Sequence, residues 1–328
     1  MKKLHMGTVS YGFESMDEVA HQLALSFGAS DSGHGRKHSL ATGVQLAARG
    51  RRDMSSRVHD VVMSLALCHN VCNCFFTNFS STNALLRQVT PVTNDDGSVT
   101  YQASSPDEVA IVKWTESVGL TLTFRDRTRI ELQTPTGSKL TFEVLELFPF
   151  TSESKRMGIV VRDTQSGEIT FLQKGADVVM AKIVQRNDWL EEETANMARE
   201  GLRTLVMARR KLSEQSYLEF KDQHHLASIR LDGRNEAMAA VVTEHLERDL
   251  ELLGLTGVED RLQDDVRSTL ELLRNAGIKI WMLTGDKIET ATCIAISTKL
   301  VARNQYIHQV AKRECTGFWR GQTTDSLY

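Results

Sequence analysis

Two successive pairs of strand-like runs in the middle of the chain limit most strongly how it can fold. The runs are residues 120–132, 139–148, 157–163 and 168–174. A turn containing Pro135 and Gly137 joins the first pair, and the sequence TQSG joins the second. This spacing is typical of β-hairpins, so we predict an antiparallel sheet.

Helical patterns surround these hairpins. Before them, Ser105 is a good N-cap, Pro106 suits the first helical position and Glu108 completes a capping box, so a helix is predicted up to Gly119. After the hairpins we predict a strand and four helices: a strand at 203–209 and helices at about 176–186, 188–200, 213–228 and 235–248. An antiparallel sheet with flanking helices predicts an α+β domain.

The last third of the chain has a different order of elements. The strand LELLGLTGV is followed by a helix that ends near Asn275 and by Gly277. The apolar run IKIWML at 278–283 is predicted to be a buried strand, and it ends in TGDK at the start of another helix. This order is typical of α/β domains, so we place a domain boundary near Glu259.

The composition disfavours several classes of protein. The 328 residues contain 39 Lys and Arg against 42 Asp and Glu, a net charge of −3, whereas a general nucleic-acid binder is usually basic. No run approaches the roughly 20 apolar residues of a membrane helix, and the first residues lack a signal-peptide core. Five cysteines, three of them bunched, do not describe a secreted disulfide framework. We therefore expect a soluble intracellular chain that binds no nucleic acid.

One motif, TGDK, has residues suited to a phosphate site. Thr284 offers a hydroxyl, and Gly285 lets the backbone approach a ligand closely. Asp286 opens a helix, and the N-terminal amides of a helix favour an anion. The alternative is an ordinary strand-to-helix turn in which Asp286 is the cap.

A second group of candidates lies at the ends of predicted strands and has the residue types that suit a nucleotide. Phe150 could stack on a base, while Lys174 and Arg203 could hold phosphates. Each residue also has an ordinary explanation, because an aromatic here is more often a core residue and a Lys or Arg at a strand end is more often solvated. The pattern alone leaves these alternatives open.

A series of motifs resembles one family over about 200 residues. In chain order they are SSPDEVA, FPFTSESKRMG, KGAD, GLRTLV, VEDRLQ and LRNAGIKIWMLTGDK. They are similar to the type IV P-type ATPases, which are the phospholipid-transporting pumps or flippases, and NDWLEEE and NMAREGLRTLV most resemble its class II branch. The residues that resemble the family are about 2–70 and 89–308.

The resemblance implies a nucleotide-binding domain, an antiparallel sheet with flanking helices, inserted into an α/β phosphorylation domain of haloacid-dehalogenase type. Residues 11–259 would form the nucleotide-binding domain, with a mobile loop at 28–50 that is rich in Gly, Ser, His and Arg. Residues 1–10 would be a remnant that follows the phosphorylation loop, and 260–308 a part of the phosphorylation domain. Residues 309–328 form an unmatched tail.

The resemblance also implies roles for individual residues. Glu108 would contact the adenine of ATP, Phe150 would stack on it, and Lys174 would line the pocket. Arg203 would reach the phosphates, and Lys155 would be a charge at the rim of the pocket. A further set would meet the terminal phosphate from the phosphorylation domain: Thr284, Gly285 and Asp286.

Sequences that the family uses for catalysis do not occur in these 328 residues. The DKTGT loop with its nucleophilic Asp, the GDGxND segment of the Mg²⁺ site and a TGES-type dephosphorylation loop are all missing. Phosphoryl transfer needs both an acceptor and a metal site. We therefore expect ATP as the ligand, Mg²⁺ as a cofactor only of a full-length parent, and no catalytic residue or metal ligand in this chain.

The expected function is that of a fragment of an ATP-driven phospholipid translocase, which moves lipid toward the cytoplasmic leaflet. Its partners would be the phospholipid substrate and the membrane, through transmembrane helices of the parent. The class II resemblance implies no accessory subunit and a cytosolic domain at trans-Golgi or endosomal membranes. The alternative is a truncated, non-enzymatic ATP-binding module. A soluble phosphatase is disfavoured because it would need its own nucleophilic Asp motif.

Two stretches depart from the family. Residues 71–88 interrupt a run that otherwise leads from CHN to TPV, and 309–328 match nothing, so both are interpreted as gene-model or splicing artefacts. Possible ligands for a soft metal lie at the first stretch: Cys68, His69, Cys72 and Cys74. Because no second ligand pair follows at zinc-finger spacing, we predict no metal site.

Overall fold

A computed structural model describes residues 1–31, 53–69, 90–93, 99–102, 105–259, 262–301 and 305–308. The predicted loop at 28–50 lies outside these residues from 32 onward. The segments 71–88, with Cys72 and Cys74, and 309–328 lie entirely outside them. The chain divides into two compact units, Met1–Arg261 and Leu262–Tyr328, which are described separately. Among the described residues, no helix has both the length and the apolar character needed to cross a bilayer.

The described strands are β1 (Lys3–Met6), β2 (Val9–Tyr11), β3 (Thr90–Thr93), β4 (Val99–Gln102), β5 (Thr121–Arg125), β6 (Arg129–Gln133), β7 (Lys139–Phe148), β8 (Arg156–Asp163), β9 (Ile169–Gly175), β10 (Leu202–Leu212) and β11 (Glu251–Glu259). The described α-helices are α1 (Met16–Asp31), α2 (Met54–Leu67), α3 (Pro106–Ser117), α4 (Asp177–Met180), α5 (Leu190–Arg199), α6 (Glu214–Ser228), α7 (Arg234–His245), α8 (Val266–Asn275) and α9 (Ile288–Ser297).

The first unit is built on one antiparallel sheet of nine strands in the order β2-β1-β11-β10-β9-β8-β7-β6-β5, and β3 and β4 form a separate hairpin. The predicted hairpin of 157–163 and 168–174 is confirmed by β8 and β9. The single run predicted at 120–132 is instead two strands, β5 and β6. They separate at Asp126, whose Oδ1 accepts hydrogen bonds from the backbone N–H groups of Thr128 (2.7 Å) and Arg129 (2.6 Å) and so turns the chain.

Helices cover both faces of this sheet. Side chains alternate between the faces along each strand, so one strand contributes to a core on each side. On β8, Ile159 and Val161 pack in a core cluster with α1, α2 and α3. Val160, which lies between them, packs in a second cluster with α4, α5, α6 and α7. The prediction of an antiparallel sheet with flanking helices is therefore confirmed for this unit.

The described part of the second unit, residues 262–301 and 305–308, contains α8 and α9. The run 278–283 was predicted as a buried strand, and this prediction is wrong: the run forms no strand, and Trp281 and Leu283 are 85% and 94% exposed. A strand needs a neighbouring strand to satisfy its backbone hydrogen bonds, and the described residues of this unit include none. The haloacid-dehalogenase-like fold stays a prediction.

Candidate functional site

The first turn of α3 places two neighbouring carboxylates beside the sheet. Ser105 is extended (φ −119°, ψ 124°) and Pro106 occupies the first turn, as predicted. However, the side chain of Ser105 accepts no capping hydrogen bond from the helix, so the prediction of a capping box is wrong. The carboxylate of Glu108 is bound to Lys174 of the sheet instead.

Lys174 and Glu108 form a buried ion pair. Lys174 lies on β9 directly between Met157 of β8 and Met207 of β10, and it therefore faces the same side of the sheet as α1, α2 and α3. Its Nζ donates a hydrogen bond to Oε1 of Glu108 at 2.9 Å, and the two residues are only 6% and 7% exposed. The interpretation of Lys174 as a solvated strand end is therefore wrong.

Arg203 forms a second ion pair with the same helical turn. It lies four residues before Met207 on β10 and so faces the same side of the sheet as Lys174. Its Nη1 lies 3.4 Å from Oδ2 of Asp107, and both side chains are partly exposed. Asp107 was not predicted as a site residue, although two consecutive acids in the first turn of a helix were a visible signal.

Phe150 follows β7 and is exposed at the surface of the first unit. Its side chain is 54% exposed, so its interpretation as a core residue is wrong. The aromatic that packs in the core is Phe148, whose ring centroid lies 6.1 Å from those of Phe171 and Phe220. The exposed ring of Phe150 is therefore available to contact a ligand.

Lys155 is held beside the end of β9 by a close crossing of two backbone segments. It is exposed and has the left-handed backbone conformation (φ 50°). Its N–H donates to the carbonyl of Thr151 at 2.9 Å, and its carbonyl accepts from the N–H of Ala176 at 3.0 Å. A Cβ at Gly175 would lie 2.9 Å from that carbonyl oxygen and 2.8 Å from Cβ of Arg156. A glycine is therefore needed after Lys174, because any larger residue would push the two backbone segments apart.

Arg156, the residue after Lys155, anchors the crossing from the other side. Its Nε and Nη2 donate to the two carboxylate oxygens of Glu247 at 2.6 and 2.8 Å. Glu247 also accepts hydrogen bonds from Oγ1 of Thr243 at 3.0 Å and from the side-chain amide of Gln173. This network could not be predicted from the sequence, because its partners are far apart in the chain and no local pattern relates them.

Two ionisable groups are buried near Lys174. Burial lowers the pKa of Arg125 to about 9, and its guanidinium donates to the carbonyls of Leu67 (3.0 Å) and His69 (2.8 Å) at the end of α2. Burial raises the pKa of the Cys68 thiol to about 11, and the nearby charge of Lys174 opposes this rise. Cys68 is therefore a protonated, structural thiol at neutral pH. Within the described ranges, no group of three or more His, Cys, Asp or Glu residues is arranged to hold a metal.

In the second unit, Thr284 and Asp286 form a small turn before α9. The backbone N–H of Asp286 donates to Oγ1 of Thr284 at 3.1 Å, and this hydroxyl donates to Oδ2 of Asp286 at 3.1 Å. Thr284 and Gly285 are exposed. The N-cap of α9 is Lys287 (φ −61°, ψ 152°), so the interpretation of Asp286 as the cap is wrong.

A cavity of about 620 Å³ lies elsewhere on the α1–α2 side of the sheet. Its lining includes the ion pair of Asp60 and Arg209, of which Arg209 is buried and Asp60 partly exposed, and the exposed pair of Glu168 and Lys211. None of the predicted site residues lines it. This cavity is therefore distinct from the place where α3 contacts Lys174 and Arg203.

Comparisons with known proteins agree with the motifs. Residues 75–265 match the profile of the family described as "P-type ATPase, cytoplasmic domain N". The chain is 55% identical over 314 residues to a Danio rerio protein named "Probable phospholipid-transporting ATPase IIB", a match that covers 94% of the chain and 28% of that protein. A human protein of the same name is 54% identical over 311 residues, covering 94% of the chain and 27% of that protein.

A yeast protein gives a similar result. The chain is 53% identical over 314 residues to "Phospholipid-transporting ATPase NEO1" of Saccharomyces cerevisiae, covering 95% of the chain and 25% of that protein. The chain thus spans about a quarter of the length of the curated relatives that it matches.

Proposed function

The chain belongs to the P-type ATPase family, and on that premise we propose that its first unit binds ATP as part of an ATP-driven phospholipid translocase. The observation that carries the proposal is that the first turn of α3 pairs with two cations of the sheet. Glu108 and Asp107 of this turn pair with Lys174 and Arg203, and the backbone of Lys155 lies beside the end of β9, the strand that contains Lys174. Lysine and arginine side chains are the usual partners of nucleotide phosphates.

Each predicted residue has a physical role in this proposal. The exposed ring of Phe150 stacks on the adenine, since base stacking on an aromatic is favourable for any base. The carboxylate of Glu108 accepts from the adenine amino group, and Lys174, its ion-pair partner, lines the pocket. Arg203 binds the phosphates, for which its planar guanidinium is well suited. Lys155 supplies positive charge at the rim.

The finer domain assignments belong to the same proposal. Residues 11–259 are the nucleotide-binding domain, and 260–308 are part of a haloacid-dehalogenase-like phosphorylation domain. Residues 1–10 follow the phosphorylation loop in this proposal, and they add β1 and most of β2 to the sheet of the first unit. Within that domain the exposed Thr284, with Gly285 and Asp286, meets the terminal phosphate. Mg²⁺ would neutralise phosphate charge once bound with the nucleotide, and its protein ligands would come from sequences such as GDGxND that these 328 residues do not contain.

The activity of the whole pump is proposed from its relatives. Proteins named as phospholipid-transporting ATPases are 53–55% identical to nearly the whole chain, which supports a phospholipid as substrate and a membrane as partner. We extend this to a class II pump of trans-Golgi or endosomal membranes that works without an accessory subunit, with this chain on the cytosolic side. DKTGT does not occur in the 328 residues. On their own, these residues should therefore bind ATP but form no phosphoenzyme.

The test is titration of the chain with an ATP analogue that carries a fluorophore on the ribose. Replacing Phe150→Ala should weaken binding by roughly 5- to 150-fold, because stacking of a base is worth about 1–3 kcal/mol. Phe13→Ala is the matched control, since Phe13 is another exposed phenylalanine of the same unit, 77% exposed and distant in sequence from the site. Equal affinity of folded wild type and folded Phe150→Ala, verified by circular dichroism, would remove Phe150 from the site.

A further inference from the structure

Arg203, the residue proposed to bind phosphate, already has an anionic partner in the structure. Its Nη1 lies 3.4 Å from Oδ2 of Asp107, in the first turn of α3. Carboxylate and phosphate oxygens compete for the same planar N–H groups of a guanidinium. A nucleotide that uses Arg203 must therefore share it with Asp107 or displace Asp107 from it.

The two ion pairs of this turn differ in how easily they can exchange partners. The Glu108–Lys174 pair is short, at 2.9 Å, and its side chains are 9% and 7% exposed. The Asp107–Arg203 pair is longer, and its side chains are 30% and 38% exposed. Breaking a buried pair leaves a desolvated charge, whereas a partly exposed pair can be replaced by water or a ligand at low cost. Arg203 is thus the cation that can change partners.

We infer that Asp107 is a specificity-determining residue that competes with nucleotide phosphates for Arg203. The inference rests on the proposed ATP site. Besides occupying Arg203, the Asp107 carboxylate repels any phosphate that approaches the guanidinium. Both effects act only on ligands that carry phosphate, so Asp107 lowers the affinity for ATP and ADP and leaves that for adenosine unchanged.

The experiment measures the affinities of adenosine, ADP and ATP by calorimetry for wild type, Asp107→Asn, Arg203→Gln and the double variant. Asp107→Asn keeps the size of the side chain and removes its charge. It should tighten ATP and ADP binding by about two- to fivefold, the range for a partly exposed ion pair, with no change for adenosine. Arg203→Gln should weaken ATP binding. Adding Asp107→Asn to Arg203→Gln should then tighten ATP binding by less than Asp107→Asn does alone, because only the repulsion is left to remove.

The control is Glu116→Gln, which removes an equal charge from the exposed part of the same helix α3 and should alter none of the three affinities. The competition is refuted if Asp107→Asn binds ATP no more tightly than wild type, or if adenosine gains as much as ATP. Failure of the underlying proposal looks different: wild type binds no ATP, or Arg203→Gln binds it as well as wild type does.

Discussion

Two short glycine-containing motifs, KGAD in the first unit and TGDK in the second, lie in very different surroundings. Gly175 of KGAD ends β9, and an added Cβ would clash with the backbone of Lys155 and with Arg156. Around Gly285 of TGDK, an added Cβ would meet no atom within 4 Å. Lys174 and Gly175 of KGAD are paired with strands on both sides, whereas the residues before TGDK form no strand. The conformation of such a motif therefore depends on the strands that pair around it.

The largest expected difference is between two lysines, Lys174 of KGAD and Lys279, which lies shortly before TGDK. Lys174→Ala should lower the free energy of unfolding by about 3–5 kcal/mol, because it leaves the Glu108 carboxylate buried without its cation. Lys279→Ala, at an exposed position of the second unit, should change it by no more than about 0.5 kcal/mol. Urea denaturation monitored by circular dichroism measures both values.

A double variant sharpens this prediction. Lys174→Met combined with Glu108→Leu replaces the buried pair with apolar side chains of similar size, so most of the lost stability should return. Equal denaturation midpoints for Lys174→Ala and Lys279→Ala would show that the burial of the pair has no energetic consequence.

A smaller difference is expected for the two glycines. Gly175→Ala should destabilise the protein by about 1–3 kcal/mol, because the new methyl group overlaps backbone atoms that cannot move without breaking the crossing. Gly285→Ala should change stability by no more than about 0.5 kcal/mol, since its surroundings are open and its φ is not positive. Thermal denaturation of the two variants checks the comparison, which fails if Gly285→Ala is the more damaging change.

The smallest difference concerns two cysteines. Burial raises the pKa of Cys68 from 9.0 to about 11, so above pH 9 the unfolded chain loses this proton more readily than the folded chain does. Stability contributed by the protonated thiol is present below pH 9 and is lost as the pH rises toward 11. Urea midpoints between pH 7 and 10 should therefore fall more steeply for wild type than for Cys68→Ala.

Alkylation offers a matched comparison for the same prediction. In the native protein at pH 8, the buried Cys68 should react with iodoacetamide more slowly than the partly exposed Cys293. Peptide mapping by mass spectrometry separates the two sites. Equal rates would mean that Cys68 is accessible to solvent.

Features that depend only on residues close together in the sequence could be predicted from it. The hairpin of β8 and β9 and the start of α3 at Pro106 follow from local turn and helix signals, and the structure confirms both. The division between β5 and β6, which was not predicted, also has a local signal, the turn at Asp126. Exposure of Phe150 and burial of Lys174 could not be predicted, because both depend on which distant elements pack beside them.

No local signal in the sequence predicts the pairing of strand β1 with β11, and this pairing has a consequence for synthesis of the chain on the ribosome. Strand β1 lies beside β11, with Lys3 opposite Gly257, so the two strands pair across about 250 residues of intervening chain. At about 5–20 residues per second, a ribosome needs roughly 12–50 s between making β1 and completing β11. During that interval Leu4 and Met6, which are fully buried in the finished unit, have no partner strand on that side. A nascent chain released before Glu251 would carry β1 as an open strand edge, the kind of surface on which chains aggregate and which chaperones must cover.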